Sequence, residues 1–338
     1  MPLDTHHSLP YTLSHRREES SSLSIGAQGS RSGSRKVKTG DSPMLNIGLI
    51  GTGTMGILAA DSILKAGHRL IAYDVNPRAL AKAKALGAVP ARSVGEVAEQ
   101  SEIILMLLPT PRHIEKVVMD EGGLLRYARP NQVIIDMSTV DPSTTRRMGA
   151  RAAEHGVDYL DAPILGRPSA HGRWVLPVGG EASVVQRCRP LLEVVARKVI
   201  HVGPLGAGNA IKLLNALMFS AINAMTAEMM AIAAKAGIAP EVLYRTLAES
   251  EAATVSGLFK EVGAKIVARD FSPTFAIDLL CKDNGLAVEM AKACGAPPVL
   301  ASVVQTLNEL AQARGLGAED TSALVKLYET LLNAQPRD

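Results

Sequence analysis

The sequence predicts a doubly wound, mainly parallel α/β domain followed by an all-α domain. Three observations predict this fold. Short apolar segments alternate with helix-like segments from Leu45 onward, and a glycine-rich motif directly follows the first of them. Residues 209–236 then contain neither glycine nor proline, which predicts one helix about 40 Å long.

The apolar segments of the first half have the length and composition of buried strands. They are LNIGLIG, HRLIAYD, SEIILMLLP, NQVIIDMS, VDYLDAP and WVLPVGG, and most are separated by helix-like stretches such as PRALAKAKALG and the region around residues 112–119. Short, continuous apolar runs between helices indicate a parallel sheet that is covered on both faces.

The second half has no comparable strand signals. The predicted long helix is apolar nearly all round, which favours a position between domains or subunits. Glycines and prolines then divide the remaining chain into further helices; they are Gly237, Pro240, Gly257, Pro273, Gly295 and Pro298. We therefore expect a leader over residues 1–43, a nucleotide-binding domain over 44–205 and a helical domain over 206–338.

The first 43 residues differ from the rest of the chain. They are rich in serine, arginine and glycine and show no apolar periodicity, so we expect them to be disordered. Glu18 and Glu19, together with the lack of an amphipathic pattern, argue against a transit peptide. Met44 stands directly before the first predicted strand and would be a natural start.

Composition excludes several classes of function. Hydrophobic residues make up 47% and charged residues 20%, as in globular proteins, and no uninterrupted apolar run reaches the ~18 residues of a membrane span. Much of the excess positive charge lies in the leader, so we expect no nucleic-acid partner. The three scattered cysteines form no metal-binding pattern, and we expect a reduced, cytoplasmic protein without a metal.

The glycine motif predicts a dinucleotide site. Gly51, Gly53 and Gly56 form G-x-G-x-x-G between a strand and a helix, the context that gives this weak motif its meaning. These glycines allow a tight turn, close approach of a pyrophosphate and close packing of helix on strand. We count the intervening Thr52, Thr54 and Met55 as further cofactor contacts.

An acidic residue follows the second predicted strand. Asp74 lies 23 residues after Gly51, where a carboxylate binds an adenosine ribose and repels a 2′-phosphate. This favours NAD, while nearby Arg78 leaves NADP open as the cofactor.

A second glycine-rich stretch, GPLGAGNAIKLLNAL at residues 203–217, has the glycine spacing of a P-loop. Asn209 and Ala210 stand where that motif needs Lys and Ser/Thr, so it is not one. Lys212 and Asn215 are three residues apart and share a helix face. A lysine near the start of an apolar helix opposes the helix dipole, which favours a role in a cleft over a solvated position.

Four stretches together resemble the β-hydroxyacid dehydrogenase family, typified by 3-hydroxyisobutyrate dehydrogenase and tartronate semialdehyde reductase. They are GLIGTGTMG (48–56), DMSTVDP (136–142), GAGNAIKLLN (206–215) and FSPTFAIDLLCKD (271–283). The resemblance implies a Rossmann domain, a helical domain joined by a long helix, an active site in the cleft between them, and a homodimer or homotetramer.

The resemblance also implies roles for individual residues. Lys212 looks like the catalytic lysine, Asn215 like its amide partner and Ser138 like a catalytic residue that contacts substrate. Thr139, the loop Leu108-Pro109 and Lys282 look like cofactor contacts, with Asp283 holding the helical end of the cleft. Alternative interpretations remain for most of them: a solvated lysine near a helix start for Lys212, a polar interface residue for Asn215, a strand-terminating turn for Ser138-Thr139, and a surface pair for Lys282-Asp283.

The resemblance predicts an NAD(P)-dependent oxidoreductase that interconverts a short-chain β-hydroxy acid and its semialdehyde. Reduction of an aldehyde by hydride builds negative charge on the carbonyl oxygen. A lysine aimed at that oxygen stabilises the charge and donates the proton, and it takes the proton back in the reverse direction. Burial would lower the pKa of this lysine toward working pH.

One segment departs from the family pattern. Relatives carry a strand end like DAPVSGG, whose backbone binds the substrate carboxylate, whereas this chain has DAPILGRPSAHG, with Leu165 and Arg167 in place of the serine and the second glycine. We assign substrate binding to Gly166 and Arg167. Either Arg167 or Arg173 binds an acidic substrate, or Arg167 narrows the pocket.

Other functions stay open. An imine reductase and a non-catalytic dinucleotide-binding protein have similar architectures, but both classes usually lack a lysine at the position of Lys212. A phosphogluconate-type enzyme would need a cluster of basic residues that is not evident here. Asp136 and Asp141 are interpreted as turn and cap residues, and His113 as a further candidate for a cofactor contact.

Overall fold

A computed structural model describes residues 44–250 and 256–333. The expectation of a disordered leader falls on residues 1–43 and lies outside this range. Eight strands form one sheet in the order β3-β2-β1-β4-β5-β6-β7-β8, and every neighbouring pair is parallel except β6 and β7. The strands are β1 Asn46–Ile50, β2 Arg69–Tyr73, β3 Val89–Pro90, β4 Ile103–Met106, β5 Val133–Asp136, β6 Asp158–Asp161, β7 Val175–Gly179 and β8 Lys198–Gly203.

Seven α-helices accompany the sheet in the described part of the chain. They are α1 Thr54–Lys65, α2 Pro77–Ala85, α3 Val94–Gln100, α4 Pro111–Met119, α5 Leu124–Tyr127, α6 Pro142–Ala153 and α7 Ala182–Val195. Alternate strand residues face opposite sides of the sheet. In β4, Ile103 and Leu105 pack into an apolar cluster with Ile63 of α1, whereas Ile104 and Met106 pack into a second cluster with Val97 of α3. Helices therefore cover both faces, which explains why the central strands are apolar throughout.

The strand order places a crevice beside β1. The chain passes from β1 to β2 and β3 on one side and then returns to β4 on the other side. In open α/β sheets, ligands bind at the carboxyl ends of the strands where the order reverses in this way. The loops that begin at Gly51, Leu107 and Met137 all follow strands at this edge.

The remaining described chain is helical. Its helices are α8 Ala207–Lys235, α9 Pro240–Glu249, α10 Gly257–Ala268, α11 Ile277–Ala293, α12 Val299–Ala313 and α13 Leu324–Leu332. A third apolar cluster joins Met230 of α8 with Val262 of α10 and Leu324 of α13. The predicted fold class, a mainly parallel α/β sheet followed by helices with one long helix between them, is confirmed.

Helix α8 is long and apolar enough to cross a bilayer on length and composition alone. About half of its most apolar part is buried in the fold, where it carries the polar residues Ser220, Asn223 and Thr226. Within the described chain it is therefore a core helix that packs against α10, α11 and α13.

Two strands, β3 and β8, and three helices, α3, α5 and α7, were not among the predicted elements. β3 is only two residues long, and β8 has the sequence KVIHVG with half of its residues exposed. Helix α3 spans seven residues and begins at Ser93, whose hydroxyl accepts a hydrogen bond from the Glu96 amide at 3.1 Å. The signals of β3, β8, α3 and α5 are too short or too polar to stand out from a loop, whereas α7 has 14 residues and contains Pro190 in its interior.

Candidate active site

Three glycines shape the loop between β1 and α1. Gly51 has a φ of +95°, and a Cβ there would lie 2.2 Å from the carbonyl oxygen of Leu107. A Cβ on Gly56 would lie 2.0 Å from the carbonyl oxygen of Gly51. In contrast, nothing lies within 4 Å of a Cβ built on Gly53, and no side chain caps the helix that begins there. The loop thus leaves open space at a free helix N-terminus, a fit for the pyrophosphate of a dinucleotide.

Asp74 stands beside this loop at the end of β2. One oxygen of its carboxylate accepts hydrogen bonds from the Thr52 amide at 2.7 Å and the Thr52 hydroxyl at 3.1 Å, and the other accepts from the Asn76 amide at 2.8 Å. The carboxylate therefore holds the glycine loop against the next strand. This is the place at which an acidic residue meets the ribose of a bound dinucleotide.

The turn after β5 joins two further predicted residues. Ser138 is buried, and its hydroxyl accepts a hydrogen bond from the amide of Leu108 at 2.9 Å. Asp136 lies beneath this turn, where its carboxylate accepts from the Ser138 amide at 2.9 Å and from the Tyr159 hydroxyl at 3.1 Å. The expected turn role of Asp136 thus agrees with its contacts, while Pro109 is exposed.

Burial raises the pKa of Asp136 to about 6, against the lowering effect of its hydrogen bonds from Ser138 and Tyr159. Between the ordinary value of 3.8 and about 6, the Asp136 carboxyl group is therefore protonated in the native protein and ionised in the unfolded chain. Stability should fall by about 3 kcal/mol as the pH rises from about 4 to about 6. We expect Asp136→Asn to lack this fall, measured as urea unfolding free energies across that range. Parallel curves for the two proteins would contradict the assignment.

Lys282 connects the helices to the sheet. Its amine donates a hydrogen bond to the carbonyl oxygen of Thr139 at 3.0 Å and pairs with Asp283 at 2.7 Å. Asp283 is buried and Lys282 is half-buried, so the two are not a solvated surface pair. These contacts join α11 to the turn after β5.

Lys212 lies in the second turn of α8 and is half-buried. It makes no hydrogen bond and no ion pair with any part of the chain that the structure describes. Burial lowers its pKa; the carboxylate of Asp283 opposes this shift, and the ammonium of Lys282 adds to it. Asn215 is exposed and has no hydrogen bond to the described residues. The Lys212 amine is thus free of partners among the described residues.

Arg167 lies in the loop between β6 and β7, and its side chain contacts residues of the helical region. Its guanidinium pairs with Glu261 at 2.7 Å, donates to the Thr274 hydroxyl at 3.1 Å and lies 3.8 Å from Asp320. It also lies over the ring of Phe219, 5.4 Å from the centroid. Phe219 follows Lys212 by seven residues on the same helix face, so Arg167 lies about 10 Å farther along α8. One of its nitrogens, Nε, is buried without a hydrogen-bond acceptor.

The backbone before Arg167 is tightly held. Gly166 has a φ of +150°, and a Cβ there would lie 2.5 Å from the ring of Trp174. The indole of Trp174, which is fully buried, donates a hydrogen bond to the Arg167 carbonyl oxygen at 2.9 Å. Arg173, in contrast, is exposed and carries no such contact.

Two residues of this region were not singled out from the sequence. Asp161 ends β6 and accepts hydrogen bonds from the amides of Gly206 and Asn209, and the Asn209 side chain bonds to Val140 and Thr145. Asn209 belongs to the glycine-rich stretch that drew attention to Lys212, but its partners are at least 48 positions away in sequence. A single sequence gives no signal for pairs at that separation.

Two other predictions concern helix starts. Asp141 caps α6 by accepting from the Thr144 amide at 2.8 Å, so its interpretation as a cap is confirmed. His113 is exposed and bonds to the Thr110 hydroxyl at 2.6 Å, in the first turn of α4. Among the described residues, no group of three His, Cys, Asp or Glu side chains could hold a metal ion.

Comparison with known proteins agrees with this geometry. Residues 46–203 match the family model for the NAD-binding domain of 6-phosphogluconate dehydrogenase. Residues 206–328 match the family model described as NAD-binding of NADP-dependent 3-hydroxyisobutyrate dehydrogenase. Fold and loop together define a nicotinamide-dinucleotide-dependent dehydrogenase.

Individual relatives identify the family to which this chain belongs within that class of dehydrogenases. A 2-(hydroxymethyl)glutarate dehydrogenase of Eubacterium barkeri is 36% identical over 85% of this chain and 96% of its own length. A 3-hydroxyisobutyrate dehydrogenase of Pseudomonas aeruginosa is 32% identical over 84% and 99%. The crystal structure of a 3-hydroxyisobutyrate dehydrogenase from Salmonella typhimurium superposes with a TM-score of 0.77 at 30% identity, covering 84% and 99% of the two chains. The chain belongs to the β-hydroxyacid dehydrogenase family of NAD(P)-dependent oxidoreductases.

Proposed function

We propose that the protein interconverts a short-chain β-hydroxy acid and its semialdehyde, with Lys212 as the general acid and base. The observation that carries the proposal is the state of the Lys212 side chain. It is a half-buried amine without a partner among the described residues, with the Lys282–Asp283 pair acting on its charge. A free amine with a lowered pKa is better suited to proton transfer than an ordinary lysine.

The cofactor is assigned to the loop and turns at the carboxyl edge of the sheet. The residues proposed to hold it are Gly51, Thr52, Gly53, Thr54, Met55, Gly56, Asp74, Leu108, Pro109, Thr139 and Lys282. The carboxylate of Asp74 favours NAD over NADP, because it would repel a 2′-phosphate. When bound, the nicotinamide ring supplies or accepts the hydride.

The side chains around the carbonyl carry the rest of the reaction. Lys212 donates its proton to the carbonyl oxygen during reduction and removes the hydroxyl proton during oxidation. We assign Ser138 to the substrate and Asn215, one helical turn after Lys212, to the same oxygen or to the substrate carboxylate. The sheet side of this site would then be a Rossmann domain over residues 44–205, and the helical side a domain over 206–338.

Gly166 and Arg167 are proposed to form the far end of the substrate site. One relative is named for a substrate with two carboxylates, 2-(hydroxymethyl)glutarate, and another for 3-sulfolactaldehyde, whose acidic group is a sulfonate. The buried Nε atom of Arg167, which has no acceptor, is consistent with binding an acidic group at this end of the site. The neighbouring Glu261 and Asp320 offset its charge, so the distal group would have to displace part of the pair with Glu261.

We expect Arg167→Ala to raise KM at least roughly 10-fold for substrates with a distal acid group and to leave substrates without one nearly unchanged, since a charged hydrogen bond contributes about 1.5–3 kcal/mol. Steady-state kinetics on matched pairs of substrates measures this. Arg173→Ala, an exposed arginine six residues later, is the matched control. If Arg167→Ala leaves the affinity for every acidic substrate unchanged, Arg167 does not bind substrate.

The function itself is tested by a substrate screen. Oxidation of NADH and NADPH is followed with glyoxylate, succinic semialdehyde, methylmalonate semialdehyde, tartronate semialdehyde, an aldehyde bearing a distal acid group, and cyclic imines. Turnover of an aldehyde acid supports the proposal, turnover of imines alone supports an imine reductase, and cofactor binding without any turnover supports a non-catalytic protein.

We also propose a homodimer or homotetramer. Leu214, Met218, Met225 and Ile232 are more than half exposed and recur at intervals of four or seven residues, hence on one face of α8. A contiguous exposed apolar face is typical of a subunit interface.

The three cysteines are free, which supports the proposed cytoplasmic location.

Charge on this face should break the assembly. We expect Met218→Glu to shift the protein to a monomer in sedimentation velocity, because a carboxylate would be buried without a partner. Met119→Glu, at an exposed methionine of α4, is the control and should leave the assembly unchanged. A monomeric wild-type protein, or an unchanged assembly in Met218→Glu, would refute the proposal.

A further inference from the structure

We infer that Asp161 and Asn209 are positioning residues that hold the start of α8, and with it Lys212, against the turn that carries Ser138 and Thr139. The inference rests on the proposed role of Lys212. It concerns contacts between segments that are far apart in sequence, β6, the turn after β5, α6 and α8.

Asp161 serves as a cap for α8 from outside the helix. The residue at the N-cap position is Gly206, which has no side chain to satisfy the free amides. The carboxylate of Asp161 accepts from the Gly206 amide at 2.8 Å and from the Asn209 amide at 2.7 Å. Asp161 is fully buried, so these bonds attach the first turn of α8 to the end of β6 without competition from water.

Glycines make this close approach possible. A Cβ on Gly179 would lie 2.3 Å from the Asp161 carboxylate, and one on Gly208 would lie 2.4 Å from the carbonyl oxygen of Pro177. The glycines of the stretch before Lys212 therefore allow the helix to start directly on the sheet. This is the role that replaces phosphate binding in GPLGAGNAIKLLNAL.

Asn209 ties the same turn of α8 to two other segments. Its side-chain oxygen accepts from the Val140 amide at 3.2 Å, and its side-chain nitrogen donates to the Thr145 hydroxyl at 3.2 Å. Val140 follows Thr139 directly, so a single buried amide joins the substrate and cofactor turn to the helix that bears Lys212. Asn209 is fully buried, and its backbone amide, side-chain oxygen and side-chain nitrogen all form hydrogen bonds within the protein.

The consequence for Lys212 follows from helix geometry. Lys212 comes three residues after Asn209, so the two lie on neighbouring positions of one face. The amine has no hydrogen bond or ion pair within the described chain, and its place in the cleft is therefore set by the backbone of α8. A displacement of about 1 Å at a reacting group can cost roughly 100-fold in rate.

The test compares two buried asparagines of one helix. Asn209→Ala removes the link to the turn, whereas Asn223→Ala removes a bond to the Thr321 carbonyl oxygen about 20 Å farther along α8. Both should lower the melting temperature. We expect only Asn209→Ala to lower kcat, by roughly 10- to 100-fold, with the cofactor dissociation constant changed less than about 3-fold.

A second readout needs no substrate. The titration of Lys212 is followed by NMR in protein with ¹³C-labelled lysine, and the signal is assigned by its loss in Lys212→Arg. Burial lowers the pKa of Lys212, and a loosened helix would admit water and move that pKa up toward its ordinary range. The shift is expected in Asn209→Ala and not in Asn223→Ala.

The outcomes separate the two proposals. The positioning role is overturned if kcat and the Lys212 titration in Asn209→Ala equal those of the wild type. It is also overturned if they equal those of Asn223→Ala. If Asn209→Ala does not fold, Thr145→Val removes the acceptor for the Asn209 amide and must itself shift the Lys212 titration; no shift overturns the inference. A wild-type protein that turns over no aldehyde acid contradicts the proposed function alone.

Discussion

Replacing Lys212 by alanine is expected to lower kcat by roughly 1,000-fold, or about 4 kcal/mol of transition-state stabilisation, because it removes both the proton donor and the charge that stabilises the carbonyl oxygen. The affinity for the cofactor should change little, since the glycine loop and Asp74 lie on the sheet side of the cleft. Pre-steady-state kinetics on an aldehyde acid found in the screen, together with fluorescence titration of the cofactor, measures both quantities.

The stability of this variant should not fall. Lys212 makes no bond to the described residues, and its lowered pKa shows that burial disfavours its charge. The matched control is Lys235→Ala, an exposed lysine at the end of the same helix, which should retain full activity. Equal turnover by Lys212→Ala and wild type would remove Lys212 from the mechanism.

Replacing Gly53 by aspartate is expected to abolish measurable cofactor binding, with an increase of roughly 100-fold or more in the dissociation constant. The added carboxylate would occupy the space proposed for the pyrophosphate and repel it. Folding should be preserved, because Gly53 has a φ of −64° and a Cβ there meets nothing within 4 Å. Aspartate is moreover a favourable N-cap residue and should stabilise α1 by roughly a few tenths of a kcal/mol relative to glycine.

Stability and cofactor affinity should thus change in opposite directions in Gly53→Asp. Thermal unfolding without cofactor and calorimetric titration with NADH measure the two. Gly122→Asp is the matched control, since a Cβ there also meets nothing within 4 Å and the site lies outside the glycine loop. Unchanged NADH affinity in Gly53→Asp would place the dinucleotide elsewhere.

The sequence predicted the parts of the fold that depend on local pattern. Apolar runs located six of the strands, the absence of glycine and proline located α8, and the G-x-G-x-x-G context located the loop at Gly51. These signals are carried by neighbours in sequence, and each has a local physical cause in burial, helix continuity or a positive φ. Strand β8 was not predicted because half of its residues are exposed and it begins with a lysine.

The candidate site was predictable only in part. Lys212 could be selected because a lysine is unusual on an apolar helix, but nothing in the sequence showed that its amine would lack a partner. Arg167 was noticed as a departure from the family pattern, whereas its ion pair with Glu261 spans 94 positions and depends on how the helices pack on the loop. Asn209 and Asp161 were missed for the same reason.

The pH dependence of kcat for hydroxy acid oxidation, in wild type and in Lys212→Arg, tests the central claim most directly. The wild-type rate should rise with pH through one apparent pKa that lies below the ordinary lysine value of 10.5, as the amine becomes a base. In Lys212→Arg, which keeps the charge but does not titrate in this range, the residual rate should lack that transition. The same transition in both proteins would contradict the assignment of Lys212 as the acid and base.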